Sequence, residues 1–157
     1  MKNQTCCFTG HRHIPENEHA VIQKRLETTI ENLIRQGICC FSAGGAIGFD
    51  TMAARVVLRL KTKHPHIRLI LVLPCKEQTN GWDETDIKIY NRILKQADKV
   101  VYISERYDEN CMRKRNRHPV DHSRFCVCYL TDLPGGAAYT VSYAKQKGLR
   151  IINIAAD

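Results

Sequence analysis

The chain has 157 residues, 43% hydrophobic and 25% charged, a balance that excludes a disordered or collagen-like chain and suits one globular domain with a sizeable core. No apolar run approaches the ~20 residues a membrane helix needs. Residues 1–5 lead straight into a strand-like run without a signal-peptide pattern, so the expected location is cytoplasmic, with no membrane partner. A formal net charge of +8 favours an anionic partner, a nucleotide or a nucleic acid.

Taken in order, residues 5–8 read as a short buried strand, followed by a loop of Thr9, Gly10, His11, Arg12 and His13. Pro15 opens a helix at the position where proline is tolerated. Ile22, Leu26, Ile30, Leu33 and Ile34 give this helix one apolar face, and Gly37 stops it. Residues 38–42 form the second strand. A glycine-rich loop follows, and Met52, Ala53, Val56, Val57 and Leu60 stripe the second helix. Residues 67–73 are a third strand whose near-continuous apolar run predicts burial on both faces, as in a parallel sheet.

Beyond Pro74, a polar loop leads to a third helix opening at Trp82, with Ile87, Tyr90, Ile93, Leu94 and Ala97 as its stripe. Residues 100–103 read as the fourth strand and 104–110 as a charged loop. Residues 111–118 read as a basic helical segment that Pro119 interrupts. The fifth strand lies within 123–130, a second glycine loop spans 131–136, a small-residue helix runs over 137–147, and a sixth strand spans 149–154. Strand and helix alternate to the end without a linker. The expected fold is therefore α/β, a Rossmann-like three-layer α/β/α sandwich around a mostly parallel sheet, with residues 1–157 as one domain and the first strand central.

Eight cysteines are an even count, but Cys6, Cys7, Cys39, Cys40, Cys126 and Cys128 fall in predicted strands. Adjacent strand residues point to opposite faces. With no Cys-x-x-Cys spacing, the expectation is reduced thiols acting as small apolar residues and no metal site. His11 and His13 without neighbouring carboxylates do not alter it.

In such folds ligands sit outside the C-terminal ends of the strands. The stretch from Cys40 to Asp50 has the order strand, glycine turn, helix that binds phosphate, because Gly44, Gly45 and Gly48 allow close backbone approach and the helix start offers unpaired N–H groups. Its spacing is neither that of the dinucleotide fingerprint nor that of a Walker loop. Three loops at one sheet edge carry glycine: this one, the Gly10 loop and the Gly135–Gly136 loop. Together they point to an anionic, nucleotide-type ligand.

The loop Thr9, Gly10, His11, Arg12, the run Ser42 to Asp50, the segment Arg115, Asn116, Arg117 with Val120, Asp121, His122, Ser123, and Pro134, Gly135, Gly136 occur in that order. Together they resemble the SLOG superfamily of Rossmann-like proteins, within it the YpsA-like branch, over nearly the whole chain. The Gly-Gly-x-x-Gly-x-Asp run looks like that of DNA-processing protein DprA, and the Pro-Gly-Gly run like that of the cytokinin-activating phosphoribohydrolases. The resemblance implies a nucleotide or nucleotide-derivative ligand. Where the phosphoribohydrolases carry a catalytic Glu, this chain has Ser142, and Ala138 and Tyr139 replace a Gly and a Thr. Serine cannot replace a carboxylate in acid–base work, whereas phosphate binding can survive, with the Thr140 hydroxyl one place on.

The candidate ligand-binding residues are Thr9, Gly10, His11, Arg12, Ser42, Gly44, Gly45, Gly48, Asp50, Gln78, Trp82, Arg115, Asn116, Asp121, Gly135, Gly136 and Thr140. Arg12 can hold a phosphate through its two-pronged guanidinium. Asp50 either favours the helix dipole or accepts from a ribose hydroxyl. Trp82 either stacks on a base or anchors the third helix. In the basic segment, Arg115 and Asn116 are expected to face inward and Arg113, Lys114 and Arg117 to face water, with Asp121 pairing Arg115 or Arg117. A bulky residue at Gly45 is expected to block close approach of the ligand and leave the fold largely intact.

Three functions fit these residues: binding or sensing of a nucleotide or ADP-ribose-like molecule, hydrolysis of a nucleotide N-glycosidic bond with Asp50, Glu77 or Asp121 as the carboxylate, and single-stranded nucleic-acid binding through the basic helix. No cofactor is implied beyond the nucleotide-type ligand, and self-association into a homo-oligomer stays open.

Overall fold

The computed structural model of the protein describes residues 2–131 and 134–155; Asp132 and Leu133 of the second glycine loop lie outside the described residues. Strand β1 (Thr5–Gly10) is buried along nearly its whole length, because Cys6, Cys7 and Phe8 are apolar on both faces. It pairs in parallel with β2 (Cys40–Ala43) on one side and β5 (Phe125–Tyr129) on the other. Strand β3 (Arg68–Leu73) pairs with β2, β4 (Lys99–Tyr102) with β3, and β6 (Arg150–Asn153) with β5, all in parallel. The order is β4-β3-β2-β1-β5-β6, so β1 is central, as its burial pattern requires.

Helices α1 (His19–Arg35), α2 (Phe49–Lys61) and α3 (Glu84–Gln96) share the larger core with one face of the sheet, where Phe8, Phe41, Phe49 and Leu69 meet Ile22, Leu26, Ile30 and Val57. Helices α4 (Cys111–Asp121) and α5 (Gly136–Gln146) cover the other face through Val120, Val141 and Ala144. This is the α/β/α sandwich. Adjacent cysteines divide between the layers: Cys6 joins the first core, while Cys7 joins the second with Cys126 and Cys128. All eight cysteines are free thiols.

Four expectations need correction. Pro15 opens a short 3-10 turn, Glu16–Glu18, which runs into α1. Helix α3 starts at Glu84 rather than at Trp82, because the Asp83 side chain accepts from the Asp86 backbone N–H at 2.8 Å and caps it. Pro119 does not interrupt α4; it is buried inside a helix that runs on to Asp121, where packing against the sheet outweighs the lost backbone bond. Cys39 precedes β2 instead of lying in it.

Candidate functional site

The sheet reverses its order of connection at β1, between β2 and β5, so the crevice outside the C-terminal ends of these strands is where such folds hold ligands. The loop after β1 crosses the start of α2 there. Phe49 N–H donates to the His11 carbonyl at 3.1 Å, and two glycines make the crossing possible. A Cβ at Gly10 would lie 2.5 Å from the Phe49 ring, and one at Gly48, whose φ is +83°, would lie 2.2 Å from the Arg12 carbonyl oxygen. These glycines dock loop and helix onto each other, a packing role distinct from close approach to a ligand.

Asp50 sits in the first turn of α2 and is only 8% exposed. Its Oδ2 accepts from the Ala46 N–H at 3.4 Å, and the Thr51 hydroxyl donates to the Ala46 carbonyl at 2.8 Å, so the turn after β2 closes on the helix start. Arg115 reaches the same place from α4, with 6% exposure. Its Nη1 donates to the Gly44 carbonyl at 2.6 Å and its Nε to Asn116 Oδ1 at 2.9 Å. A Cβ on Gly44 would lie 2.9 Å from both Arg115 Nη1 and Asp50 Oδ2, so only glycine leaves room for the two charged groups to converge. As expected, Arg115 is buried, Asn116 half-buried, and Arg113, Lys114 and Arg117 exposed.

Burial sets the electrostatics. Desolvation pushes the Asp50 carboxyl up to about 6 against the opposing pull of Arg115, the Ala46 N–H and Arg12. Burial also pulls Arg115 below its ordinary value, with Asp50 acting against it. A folded value near 6 against an ordinary 3.8 is worth about 3 kcal/mol. The sign follows from proton binding: between pH 4 and 6 the folded state holds the proton that the unfolded state has lost, so this group makes the fold less stable as pH rises through that window. We therefore expect wild-type unfolding free energy, minus that of Asp50→Asn, to fall between pH 4.5 and 7.5 in urea titrations. Parallel pH profiles for the two proteins would disprove the assignment.

Thr9, Gly44, Asp50, Arg115, Asn116 and Thr140 surround a cavity of about 20 Å³, room for about one water. The Thr140 hydroxyl donates to the Gly136 carbonyl at 2.9 Å, which fixes it on the first turn of α5. Beyond Gly44 a wider cleft of about 470 Å³ opens, lined by Arg12, Cys75, Gln78, Trp82, Tyr107 and Met112 among others. Gln78 Nε2 reaches the Gly44 carbonyl at 3.5 Å, so this one oxygen stands between cavity and cleft. Trp82 is half-buried and meets Tyr90 edge-on, with ring centres 5.5 Å apart. A second cleft of the same volume lies on the outer side of α2, lined by His19, Arg55 and Arg59 among others, but no buried ionisable side chain lines it.

The structure gathers Thr9, Gly44, Asp50, Arg115, Asn116 and Thr140 around the cavity and Arg12, Gln78 and Trp82 around the cleft, the two linked by the Gly44 carbonyl. Gly136 adjoins it, since a Cβ there would lie 3.8 Å from Asn116 Nδ2. The remaining candidates differ. His11 Nε2 accepts from the Thr131 N–H at 3.0 Å, so its ring ties the loops after β1 and β5 together. Ser42 is buried in β2, its hydroxyl without a hydrogen-bond partner among the described residues. Gly45, with φ +75°, packs on the core: a Cβ would lie 2.4 Å from Leu73 Cδ2, so the expectation that a bulky residue leaves the fold intact is corrected. Asp121 is exposed at the far end of α4 and accepts from the Tyr143 hydroxyl at 2.6 Å, pairing neither Arg115 nor Arg117. Gly135, with φ +140°, caps α5 over open space. Reading the sequence missed Tyr90, whose hydroxyl donates to Gln78 Oε1 at 3.5 Å, and Met112 and Asn80 on the cleft wall. A helical stripe does not reveal that Tyr90 carries its hydroxyl to the site.

Comparison with known proteins agrees with this architecture. A family profile described as the YspA SLOG family matches residues 7–154. UPF0398 protein BH1768 of Halalkalibacterium halodurans is 37% identical over 129 residues, which cover 80% of this chain and 68% of that one. The uncharacterised SPbeta prophage-derived protein YoqJ of Bacillus subtilis is 32% identical over 138 residues, covering 80% and 81%. Among solved structures, DprA of Streptococcus pneumoniae superposes with a TM-score of 0.68 at 16% identity, over 96% of this chain and 50% of that one, so this chain spans half the length of that protein. DprA of Helicobacter pylori, whose structure concerns its single-stranded DNA binding mode, gives a TM-score of 0.63 at 16% identity over 94% and 62%. At these identities the two structures establish a shared fold. The profile match over nearly the whole chain and the relatives above 30% identity establish more: the chain belongs to the YpsA family of SLOG proteins.

Proposed function

We propose that the protein binds a nucleotide or nucleotide derivative, with its phosphate held by Arg12 and Arg115 and a sugar hydroxyl donating to Asp50. The observation that carries this reading is the convergence of a buried Arg115 and a buried Asp50 on Gly44 at the sheet's switch point, with an aromatic-walled cleft alongside. A guanidinium has five N–H donors, so Arg115, which spends Nη1 on the Gly44 carbonyl and Nε on Asn116, retains others for an anion. The aromatic faces of Trp82 and Tyr107 on the cleft wall suit a base. Membership in a family with DprA-like fold neighbours agrees with a nucleotide- or nucleic-acid-related role.

The test is a thermal-shift screen against nucleoside mono-, di- and triphosphates, NAD and ADP-ribose, since a ligand that binds only the folded state raises its stability. Calorimetry with the best hit follows. Arg12 is exposed, so Arg12→Gln should leave the fold unchanged and cost about 1.5–3 kcal/mol of binding, roughly 10- to 150-fold. No shift with any of these compounds, or equal affinity in Arg12→Gln, defeats the reading.

One observation favours a second reading, hydrolysis of an N-glycosidic bond. The Asp50 carboxyl, at about 6, has the proton affinity a general acid–base group needs near neutral pH. Glu77 also lines the cleft but is exposed, and Asp121 is remote, so Asp50 is the one buried carboxylate of the three; Ser142 is exposed on α5. Release of free base from a bound nucleoside monophosphate, lost in Asp50→Asn, would support hydrolysis. A bound but intact nucleotide would leave binding alone.

A further inference from the structure

Helices α4 and α5 carry an exposed feature that the crevice does not use. Arg113 Cζ lies 5.9 Å from the centre of the Tyr139 ring, and Arg117 Cζ lies 5.7 Å from the same ring and 5.1 Å from that of Tyr143. Lys147 Nζ follows at 5.5 Å from Tyr143. Cation and aromatic therefore alternate along the seam between the two helices. The ladder is held in place: Arg117 Nε donates to the Tyr139 hydroxyl at 2.6 Å, and the Tyr143 hydroxyl donates to Asp121 at 2.6 Å. From Tyr139 to Lys147 is eight helical steps, about 12 Å.

A surface ladder that served only to join two helices would be expected to pair its cations with carboxylates. Among the described residues none of Arg113, Arg117 and Lys147 has a carboxylate partner, and Lys114 adds a further exposed cation on α4. The one carboxylate on the seam, Asp121, accepts from a tyrosine. What remains is positive charge interleaved with aromatic rings on a protein of net charge +8. Guanidinium planes and tyrosine rings both stack on bases, and the cations neutralise phosphates.

We propose that the α4–α5 seam binds single-stranded nucleic acid, with Arg113, Arg117 and Lys147 on the phosphates and Tyr139 and Tyr143 as the stacking platform. The seam lies outside the Asp50–Arg115 cavity, so this binding does not depend on the nucleotide reading of that site.

The experiment is fluorescence anisotropy with labelled dT12, U12 and a 12-base-pair duplex at several salt concentrations. Three neutralised phosphates predict that the logarithm of single-strand affinity falls against the logarithm of salt with a slope of about −2. Arg113→Gln with Arg117→Gln should weaken single-strand binding at least tenfold, and Tyr139→Leu about tenfold, while all variants keep the wild-type melting temperature within a few degrees. Arg12→Gln, altered only at the crevice, should bind the oligonucleotide as wild type does. Binding of dT12, U12 or both supports the proposal, and their ratio shows whether the 2′-hydroxyl is read. No binding of either strand at 50 mM salt, duplex binding as tight as single-strand binding, or unchanged affinity in the folded seam variants would overturn it.

Discussion

Gly48→Ala is expected to destabilise the protein by about 2–5 kcal/mol, among the larger effects a single methyl can have. Two costs add. The residue has φ +83°, where an L side chain is strained, and its new Cβ would meet the Arg12 carbonyl oxygen at 2.2 Å. That oxygen belongs to backbone held by the Phe49 N–H bond to His11, so it cannot swing aside as the end of a side chain would. For a chain of this length the loss corresponds to a fall in Tm of roughly 5–15 °C. Gly136→Ala is the control. Its Cβ would have an ordinary contact, 3.8 Å from Asn116 Nδ2, on a helix where alanine is favoured, so its stability should stay within about 0.5 kcal/mol of wild type. Urea unfolding of the two variants decides the matter: equal midpoints would mean that the loop after β1 does not rest on the α2 start.

The second large effect concerns Arg115. Arg115→Met keeps an apolar stem in the buried channel and removes the guanidinium. Stability should change by no more than about 2 kcal/mol, since burial works against that charge while the Gly44 carbonyl loses its 2.6 Å donor. Nucleotide affinity should drop much further, by about 3 kcal/mol or roughly 150-fold, because an enclosed charge pair between guanidinium and phosphate disappears. Removing the cation also takes away the pull that opposes desolvation, so the Asp50 carboxyl shifts further upward. Arg115→Lys restores charge without the two-pronged geometry and should recover only part of the loss. Calorimetry with the nucleotide found in the screen measures all three proteins. A folded Arg115→Met variant that binds as wild type does would remove Arg115 from the site.

Much of the fold follows from local patterns. Apolar runs on both faces identify β1, β2, β3 and β5 as interior strands, and the helical stripe of Ile22, Leu26, Ile30, Leu33 and Ile34 is buried to the last residue. Alternation of strand and helix imposes parallel pairing, and parallel pairing brings every strand-to-helix loop to one edge. The crevice residues Thr9, Arg12, Gly44, Asp50, Arg115 and Asn116 were legible for that reason. Element ends were less so. The Asp83 cap and the buried Pro119 depend on how side chains settle against neighbours, and period alone carries no such information.

What the sequence by itself determined is the layered α/β architecture, the sheet edge where the candidate crevice lies, and the inward face of the basic helix with Arg115 on it. The tertiary structure alone decided what each glycine is for. Gly10 and Gly48 accept the ring of Phe49 and the backbone of Arg12, Gly45 accepts Leu73, and Gly44 alone makes room for the two buried charges. The same four letters in a loop read alike as a phosphate cradle, because a glycine has no side chain with which to announce its neighbour. Distance also decided against Asp121: it lies on the same helix as Arg115 but beside Tyr143, more than a turn away from the crevice. The Asp50 carboxyl, read from the sequence as a helix-dipole residue or a ribose acceptor, is pushed toward its neutral form for a reason no motif contains, namely burial away from the water that would have kept its charge favourable.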